Sequence, residues 1–531
     1  MRFKKLYRLF CFIIFCVTLG MSSAHAQNKK PQPLVISIDL NDRAQTIENI
    51  GASGCWYAEP IGKNWPSEKK NKIAELLFSR EIDKAGNPLG IGLSAWRFNI
   101  GGGTAEQGSS SGIKDVNHRV ECFLSDDGSY DWNKQSGYQW FLKKAKQYGV
   151  ENLIAFSNTP PVQFTKNRLG FKTDKSYLSN LQPGKYKAYS QFLSEVIRHF
   201  DQESLYFSYL SPVNEPQWDW SGTIGAAKQE GSPWTNQEIF QVVKSLDTSL
   251  KEKSLKTKIL IPEAAMLTYM YENNTATSRQ IQNFFSDSSA LSVQNINSVS
   301  GIVAGHSYFT DSGDSSLINI RKNLADTAKQ YGVNYWQSEY CMLGDGFKEG
   351  AKEKRSQMDC ALFLAKVIHS DLVDGNATAW QFWNSFEPGK SDFDTRYYLI
   401  ALSPDQDYKN GDFAVTKNLW ALGHYSLFIR PGMQRLNIHR SDGATNIETA
   451  QKAMVSAFAG KDGKLIIVAV NYRNTSQQLV LELKPPKKIR KISVYLTTAE
   501  KGVSMRYSEL KANDSIALPG RSITTLVIDS R

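Results

Sequence analysis

The segment Leu205-Tyr206-Phe207-Ser208-Tyr209-Leu210-Ser211-Pro212-Val213-Asn214-Glu215-Pro216 holds the pattern on which the fold prediction rests. Its first half is an apolar, aromatic run typical of a buried β-strand, and its prolines mark the turn that follows. Glu215 therefore stands where a strand ends. The run Asn334–Glu339 repeats this arrangement, with Glu339 in the final position. Acidic residues at the carboxyl ends of strands are candidates for catalysis.

Working outward, eight strand-like runs alternate with eight amphipathic stretches. The predicted strands are Thr46–Gly51, Gly92–Ile100, Asn152–Asn158, Leu205–Asn214, Lys258–Glu263, Gly301–Tyr308, Asn334–Glu339 and Ala377–Trp383. The predicted helices are Ser67–Phe78, Asp131–Tyr148, Gly184–Phe200, Asn236–Leu250, Ser278–Phe285, Leu317–Tyr331, Lys354–Leu372 and Ala421–Phe428. This alternation predicts an α/β fold, a closed (β/α)8 TIM barrel over residues 44–428. An open doubly wound sheet is disfavoured, because no G-x-G-x-x-G follows the first strand.

Local signals predict some helix ends. Asp131 and Asn236 are placed to cap the second and fourth helices, and Gly149 to end the second.

The pattern changes near residue 429 to short alternating runs. They are Ala453–Ala457, Lys464–Asn471, Gln478–Leu483, Lys491–Tyr495 and Ser522–Ile528. Such runs, separated by turn residues, predict an all-β sandwich over residues 429–531. Pro33–Leu40 is also strand-like. We expect this N-terminal strand, within residues 33–43, to cross over and join the sandwich.

Residues 1–26 have the pattern of a bacterial-type signal peptide. A positive start precedes the short apolar stretch Leu9–Leu19, and Ala24-His25-Ala26 is a cleavage signal. We therefore expect export to the periplasm or the medium, with cleavage near Ala26. No later segment is typical of a membrane span.

Charge and cysteine content exclude several classes of protein. The net charge is +11, and removing the four leader cations leaves +7. The basic cluster Lys487-Lys488-Ile489-Arg490-Lys491 fits a solvated strand edge better than a nucleic-acid patch. Four cysteines remain outside the leader, Cys55, Cys122, Cys341 and Cys360, which allow one or two disulfides. No C-x-x-C pair suggests zinc. We expect no cofactor, metal or nucleic-acid partner, and a monomer.

Cleavage of a glycosidic bond requires at least two carboxyl groups, and two separate strand ends can supply them. One gives a proton to the leaving oxygen, and the other attacks the anomeric carbon or activates water. A single strand-end glutamate is more often a salt-bridged group. The joint placement of Glu215 after the fourth strand and Glu339 after the seventh favours catalysis. Asn214 is placed to bond a sugar 2-hydroxyl or the opposing carboxylate.

Three motifs carry a family resemblance: Gly92-Leu93-Ser94-Ala95-Trp96-Arg97-Phe98-Asn99-Ile100-Gly101, Asn214-Glu215-Pro216-Gln217-Trp218 and Ser338-Glu339-Tyr340. Through them the chain resembles glycoside hydrolase family 30, a retaining family with a (β/α)8 barrel and a fused β-sandwich. The resemblance spans nearly the whole mature chain. It implies that Glu215 is the acid/base and Glu339 the nucleophile. Residues 214–220 and 229–234 are similar to the endo-β-1,6-galactanase branch.

Further candidates lie at strand ends and in the long segment after the fourth strand. Each has a structural alternative: an ion pair for Arg97, a satisfied interior group for His306, core packing for Trp383 and a surface position for Glu230. Substrate contacts are predicted for these four residues and for Asn214, Trp218, Trp234 and Tyr308. Flat aromatic rings suit stacking on sugars.

The sequence thus favours an exported, retaining endo-β-glycosidase, most of all one that hydrolyses β-1,6-galactan side chains of arabinogalactan. A xylanase or a β-1,6-glucanase of the same fold is the alternative activity. A noncatalytic carbohydrate-binding protein is the alternative class, although the presence of both glutamates argues against it.

Overall fold

The computed structural model describes residues 32–344, 355–511 and 514–530. After β1 (Leu34–Thr46), eight parallel strands close into a barrel: β2 (Asn49–Ser53), β3 (Ala95–Asn99), β4 (Asn152–Phe156), β5 (Phe207–Ser211), β6 (Lys258–Ala264), β7 (Val299–His306), β8 (Asn334–Tyr340) and β9 (Ala379–Phe382). β9 pairs with β2 to complete the circle. The barrel prediction is confirmed. The leader lies outside the described residues.

Side chains from alternate strands fill the barrel interior, as this fold requires. Ala95, Ile154, Leu260, Ala304 and Trp336 are all buried there. The small side chains of the alanines leave room for the large indole of Trp336. The barrel is therefore a packed core, and a site can form only at its ends.

Most helices join strands of the barrel and surround it. The helices are α1 (Ala58–Asn64), α2 (Ser67–Phe78), α3 (Thr104–Gln107), α4 (Ser136–Gln147), α5 (Tyr186–Gln202), α6 (Asn236–Glu252), α7 (Thr268–Tyr271), α8 (Gln280–Phe285), α9 (Asp314–Gln330), α10 (Gln357–Val373), α11 (Lys417–Ser426) and α12 (Asn446–Thr449). Of these, α11 leads into the C-terminal sheet and α12 lies between two strands of that sheet. In α5, Phe192, Val196 and Phe200 recur every four residues and are buried. This spacing forms the apolar stripe that packs on the barrel.

Two predicted helix caps are wrong. α4 begins at Ser136, because the Asp131 carboxylate instead accepts the Asn133 backbone N–H at 3.0 Å in the turn before the helix. In α6 the cap is Thr235, whose hydroxyl accepts the Glu238 N–H while Glu238 accepts the Thr235 N–H. Gly149 follows α4 with φ +79°, the left-handed backbone that ends many helices.

β10 (Phe386–Pro388), β11 (Ile400–Pro404) and β12 (Gly411–Val415) form a small sheet that the sequence did not predict. The C-terminal strands are β13 (Gln434–Arg440), β14 (Ala453–Ala459), β15 (Leu465–Asn471), β16 (Gln477–Lys484), β17 (Ile489–Thr497), β18 (Arg506–Leu510), β19 (Ile516–Leu518) and β20 (Ser522–Ser530). With β1 they form one nine-stranded sheet in the order β18-β17-β20-β15-β14-β13-β1-β16-β19.

β1 lies inside this sheet, antiparallel to β13 and parallel to β16. Leu479 and Leu518, near one end of the strand order, share a core with Ile492 near the other end. The sheet therefore folds over itself as a sandwich. The basic cluster at residues 487–491 is mostly exposed, and its strand residues pair with β20 alone, because β18 joins β17 only from Ile492 onward.

α11 joins the barrel to the sheet. His424 of this helix is buried, and its Nδ1 and Nε2 each lie 2.8 Å from a hydroxyl, those of Thr525 and Thr497. The four cysteines at 55, 122, 341 and 360 are all buried and free, so the disulfides that the sequence allowed do not form among them. Within the described ranges, no helix has the length and apolar character needed to cross a membrane.

Candidate active site

Five charged side chains converge at the carboxyl ends of the barrel strands. Arg97 comes from β3, Glu263 from β6, His306 from the end of β7 and Glu339 from β8, while Glu215 follows β5. Glu215 has a left-handed backbone, with φ +43°, and its N–H donates to the Glu263 carbonyl at 2.9 Å. A non-glycine residue in this strained conformation is often found at a functional site.

The Glu339 carboxylate is held by two donors. Arg97 Nη1 donates to its Oε2 at 2.7 Å, and the Tyr308 hydroxyl donates to its Oε1 at 3.1 Å. Arg97 is only 1% exposed and lies over the Phe156 ring. An arginine buried in this way is fixed in orientation, so the carboxylate is presented in one position.

The Glu215 carboxyl group lies opposite. Its Oε1 is 3.0 Å from His306 Nδ1, which lies 3.6 Å from Glu339 Oε1. Ligand atoms of Glu215, His306 and Glu339 all lie within 4.8 Å of one another. Two carboxyl groups this close match the separation of roughly 5 Å found in retaining glycosidases.

Burial and charge give these groups different proton affinities. Burial, opposed by the His306 contact, raises the pKa of Glu215, and the charge of Glu339 raises it further. Burial alone would lower the pKa of His306, but the surrounding carboxylates of Glu339, Glu215 and Glu263 raise it to about 10. The site therefore holds a carboxyl group inclined to keep a proton and an imidazole inclined to be charged.

Glu215, His306 and Glu339 are also the one group in the described chain with the spacing of metal ligands. The donor set does not suit a cation, because an imidazole ligand must be neutral. Here both ring nitrogens face carboxylates and the ring favours the charged form. The arrangement fits proton transfer instead.

A cavity of about 540 Å³ opens over the two carboxylates, with aromatic side chains on its walls. Trp56 stacks on His118 with ring centroids 3.9 Å apart, and Trp383 meets Trp56 edge-on at 5.2 Å. On another wall, Trp218 meets Phe309 edge-on at 6.1 Å. Flat rings of this kind bind the apolar faces of sugars.

Two buried polar atoms of cavity residues have no hydrogen-bond partner among the described residues. They are Trp56 Nε1 and Asn214 Oδ1, both buried. Asn214 Nδ2 donates to Asn158 Oδ1 at 3.0 Å, which fixes the amide beside Glu215. Because buried polar groups normally have hydrogen-bond partners, these atoms suit the hydroxyl groups of a ligand.

The structure does not place every candidate at the cavity. Glu230 is fully buried away from it, where its carboxylate accepts the Thr104 hydroxyl at 2.6 Å and the Gly102 N–H. Trp234 is 1% exposed and stacks on Tyr189. None of the predicted sugar contacts of Glu230, Trp234, Arg97 and His306 is found, because all four side chains are buried and none is among the described residues that line the cavity.

Sequence analysis missed several residues of the site. Glu263 contacts both Arg97 and His306, and its place at the end of a predicted strand was a signal that could have found it. The other missed residues line the cavity mostly from loops: Trp56, His118, Asn158, Lys228, Gln229, Phe309, Cys341, Leu343, Glu387 and Tyr397. Their positions depend on how each loop folds, which no local pattern reveals.

Comparisons with known proteins identify a family and several relatives. The model of the family described as O-Glycosyl hydrolase family 30 matches residues 33–395. An endo-β-1,6-galactanase from Hypocrea rufa is 25% identical over 464 residues, 84% of this chain and 83% of that protein. A glucuronoxylanase from Bacillus subtilis (strain 168) is 22% identical over 452 residues, 83% of this chain and 88% of that protein. A conserved exported protein from Bacteroides fragilis has a crystal structure that matches with a TM-score of 0.86 and 34% identity, over 93% of this chain and 100% of that one.

Proposed function

This chain belongs to O-glycosyl hydrolase family 30, and from that premise we propose that it is a retaining endo-β-glycosidase with Glu215 as acid/base and Glu339 as nucleophile. One observation carries the proposal: the two carboxyl groups meet within 4.8 Å in a single aromatic-walled cavity. The barrel, residues 44–428, is the catalytic domain of this proposal. Residues 33–43 and 429–531 form the supporting sandwich.

The reaction is a double displacement. Glu339, oriented by Arg97 and Tyr308, attacks the anomeric carbon while Glu215 gives its proton to the leaving oxygen. The bond to the sugar neutralises Glu339, which removes one of the charges that raise the pKa of Glu215. Glu215 then accepts a proton from the water that releases the sugar.

The substrate we propose is β-1,6-galactan, as in the side chains of arabinogalactan. The name of the Hypocrea rufa relative supports this, and so does the similarity of residues 214–220 and 229–234 to that branch. Xylan is the second candidate, since the Bacillus subtilis glucuronoxylanase covers as much of this chain.

A polysaccharide panel distinguishes these substrates. Purified chain is incubated with β-1,6-galactan, glucuronoxylan and β-1,6-glucan, and reducing ends and product sizes are measured. We expect release of short oligosaccharides from galactan. Release of oligosaccharides from xylan or glucan alone would mean that this polysaccharide, and not galactan, is the substrate. Binding to the polysaccharides without hydrolysis of any of the three would favour the noncatalytic carbohydrate-binding protein.

Retention is tested separately by proton NMR of the first product formed. We expect the β-anomer to appear first and the α-anomer only later by mutarotation. An α-anomer that appears first would reject the assignment of Glu339 as nucleophile.

We also propose that the chain is exported and that residues 1–26 are removed. The exported relative from Bacteroides fragilis and the leader pattern support this. N-terminal sequencing of the protein from the periplasm or medium should begin at Gln27. Recovery of the intact leader in the cytoplasm would contradict it.

A further inference from the structure

The carboxylate of Glu263 lies behind the reacting groups, and neither step of the proposed reaction uses it. Its side chain is fully buried, with 0% exposure. The Ser211 hydroxyl donates to it at 2.5 Å and the Ser338 hydroxyl also donates. His306 Nε2 lies 3.3 Å away and Arg97 Nη2 lies 3.7 Å away. A carboxylate removed from water stays ionised only when donors and cations surround it in this way.

We propose that Glu263 is a positioning residue that keeps His306 doubly protonated and directed at Glu215; this inference rests on the proposed function above. The two nitrogens of the imidazole face different carboxylates. Nε2 faces Glu263, and Nδ1 lies 3.0 Å from Glu215. A ring donates at both nitrogens only when it carries two protons, so a fixed anion behind it holds the second proton in place.

The surroundings of His306 are acidic on several sides. Glu215 comes from the loop after β5, Glu263 from β6 and Glu339 from β8, while the Tyr308 ring lies 5.7 Å away on the same segment. Arg97 is the nearby cation, and it contacts Glu263 and Glu339. Burial would raise the pKa of Glu263, but Arg97 and His306 lower it to about 2. Glu263 is therefore ionised at neutral pH.

The consequence for the reaction lies at Glu215. An imidazolium 3.0 Å from this carboxyl group stabilises the carboxylate that remains after proton donation. Glu263 contributes to this stabilisation of the Glu215 carboxylate without contacting the sugar, since it is not among the described residues that line the cavity. Its effect passes through His306.

The direct test follows the protonation of His306 in the full chain labelled with ¹⁵N-histidine. Its signal is identified by its loss in His306→Gln. In the wild type we expect imidazolium shifts throughout the range of pH 5–8. In Glu263→Gln the ring should titrate with a midpoint more than about one pH unit lower. A wild-type ring that is neutral at pH 7 would overturn the proposal, whether or not the variant folds.

The pH profile of kcat/KM is the second measurement. In Glu263→Gln, His306 loses its proton at lower pH, so Glu215 loses a neighbouring cation and its pKa rises. The alkaline limb of the profile should therefore move to higher pH, and the maximum kcat/KM should fall. Glu263→Asp, which keeps the charge, should keep the wild-type limb.

Glu230→Gln is the matched control, because it removes another buried carboxyl group that is not among the described residues lining the cavity. The acid and alkaline limbs of its kcat/KM profile should coincide with those of the wild type, whatever its maximum kcat/KM. A Glu263→Gln profile that is lowered with both limbs fixed would indicate a structural role and overturn the proposal. The NMR measurement needs no substrate, so failure to cleave any polysaccharide would reject the proposed function and leave the His306 result standing.

Discussion

At the scale of single residues, Glu215 and Glu339 differ in what surrounds each carboxyl group. The Glu339 carboxylate accepts hydrogen bonds from a guanidinium and from a phenol hydroxyl, which act only as donors toward it. Glu215 faces His306 and sits in a position where burial favours the protonated form. Two carboxyl groups in such different surroundings can take opposite roles in one reaction.

Replacement of either glutamate should abolish hydrolysis. We expect Glu339→Ala and Glu215→Ala each to lower kcat by at least about 10³-fold on polysaccharide, with unchanged circular dichroism. Azide should partly restore Glu215→Ala on an activated aryl glycoside, because azide attacks the covalent intermediate without a base. The exposed Glu252→Gln is the control. Near-normal activity in either alanine variant would refute the assigned roles.

Removal of the Tyr308 hydroxyl tests how Glu339 is oriented. Tyr308→Phe deletes the 3.1 Å hydrogen bond and leaves the ring. A hydrogen bond to a charged group contributes about 1.5–3 kcal/mol, so kcat/KM should fall about 10- to 100-fold. Tyr331→Phe, on the outer side of the barrel after α9, is the comparison. An unchanged kcat/KM would mean that Arg97 alone suffices.

Strand-end positions were visible in the sequence, which is why Arg97, Glu215, His306, Tyr308 and Glu339 could be named before the structure. The structure brings all five together. Loop residues gave no such signal. Trp234 looked like Trp218 in the sequence, yet one packs on Tyr189 and the other lines the cavity. Which way a loop side chain turns depends on contacts that are distant in sequence.

At the scale of elements, α6 shows how one short motif stabilises a barrel helix. Thr235 and Glu238 satisfy each other's backbone N–H groups, which would otherwise lack partners at the helix start. This helix follows the loop that carries Glu215, Trp218 and Trp234, so its start also ends that loop.

Thr235→Ala should therefore destabilise the protein. We expect the free energy of unfolding, measured with urea, to fall by about 1 kcal/mol, within the usual range of roughly 0.5–2 kcal/mol for a lost cap. Thr248→Ala lies in the same helix, exposed and outside the capping motif, and should change stability by less than about 0.5 kcal/mol. Equal effects of the two substitutions would contradict the capping argument.

All eight barrel strands could be predicted from the sequence. Each of the eight barrel strands lies within two or three residues of its predicted position, as β8 at Asn334–Tyr340 shows. The strands that the sequence did not predict range from β10 and β19, with three residues each, to β13, with seven. A three-residue run carries too little alternation to stand out, and it becomes a strand only because a neighbour supplies hydrogen bonds.

At the scale of the whole molecule, the junction between barrel and sheet contains a histidine that must stay neutral. Burial lowers the pKa of His424 to about 3, below the value near 6.5 of an unfolded chain. The unfolded chain therefore binds the proton more readily than the native protein. The stability this group contributes is present above pH 6.5 and is lost as the pH falls toward 3.

We expect the free energy of unfolding to decline with acid more steeply in the wild type than in His424→Gln. The difference in slope between pH 6 and pH 4 should approach about 1.4 kcal/mol per pH unit, the effect of one proton. Urea unfolding at several pH values measures it. Parallel slopes would mean that His424 takes up no proton on unfolding.

β1 precedes the barrel in sequence but pairs with β13 and β16, which follow it. Arg43 and Gln434, paired across neighbouring strands, are 391 residues apart in sequence. β1 therefore cannot complete its pairing until both neighbours, which follow the barrel in sequence, are available. Closing so large a loop is slow. A truncation before β13 would leave both hydrogen-bonding edges of β1 unpaired, which would favour proteolysis and association with other chains.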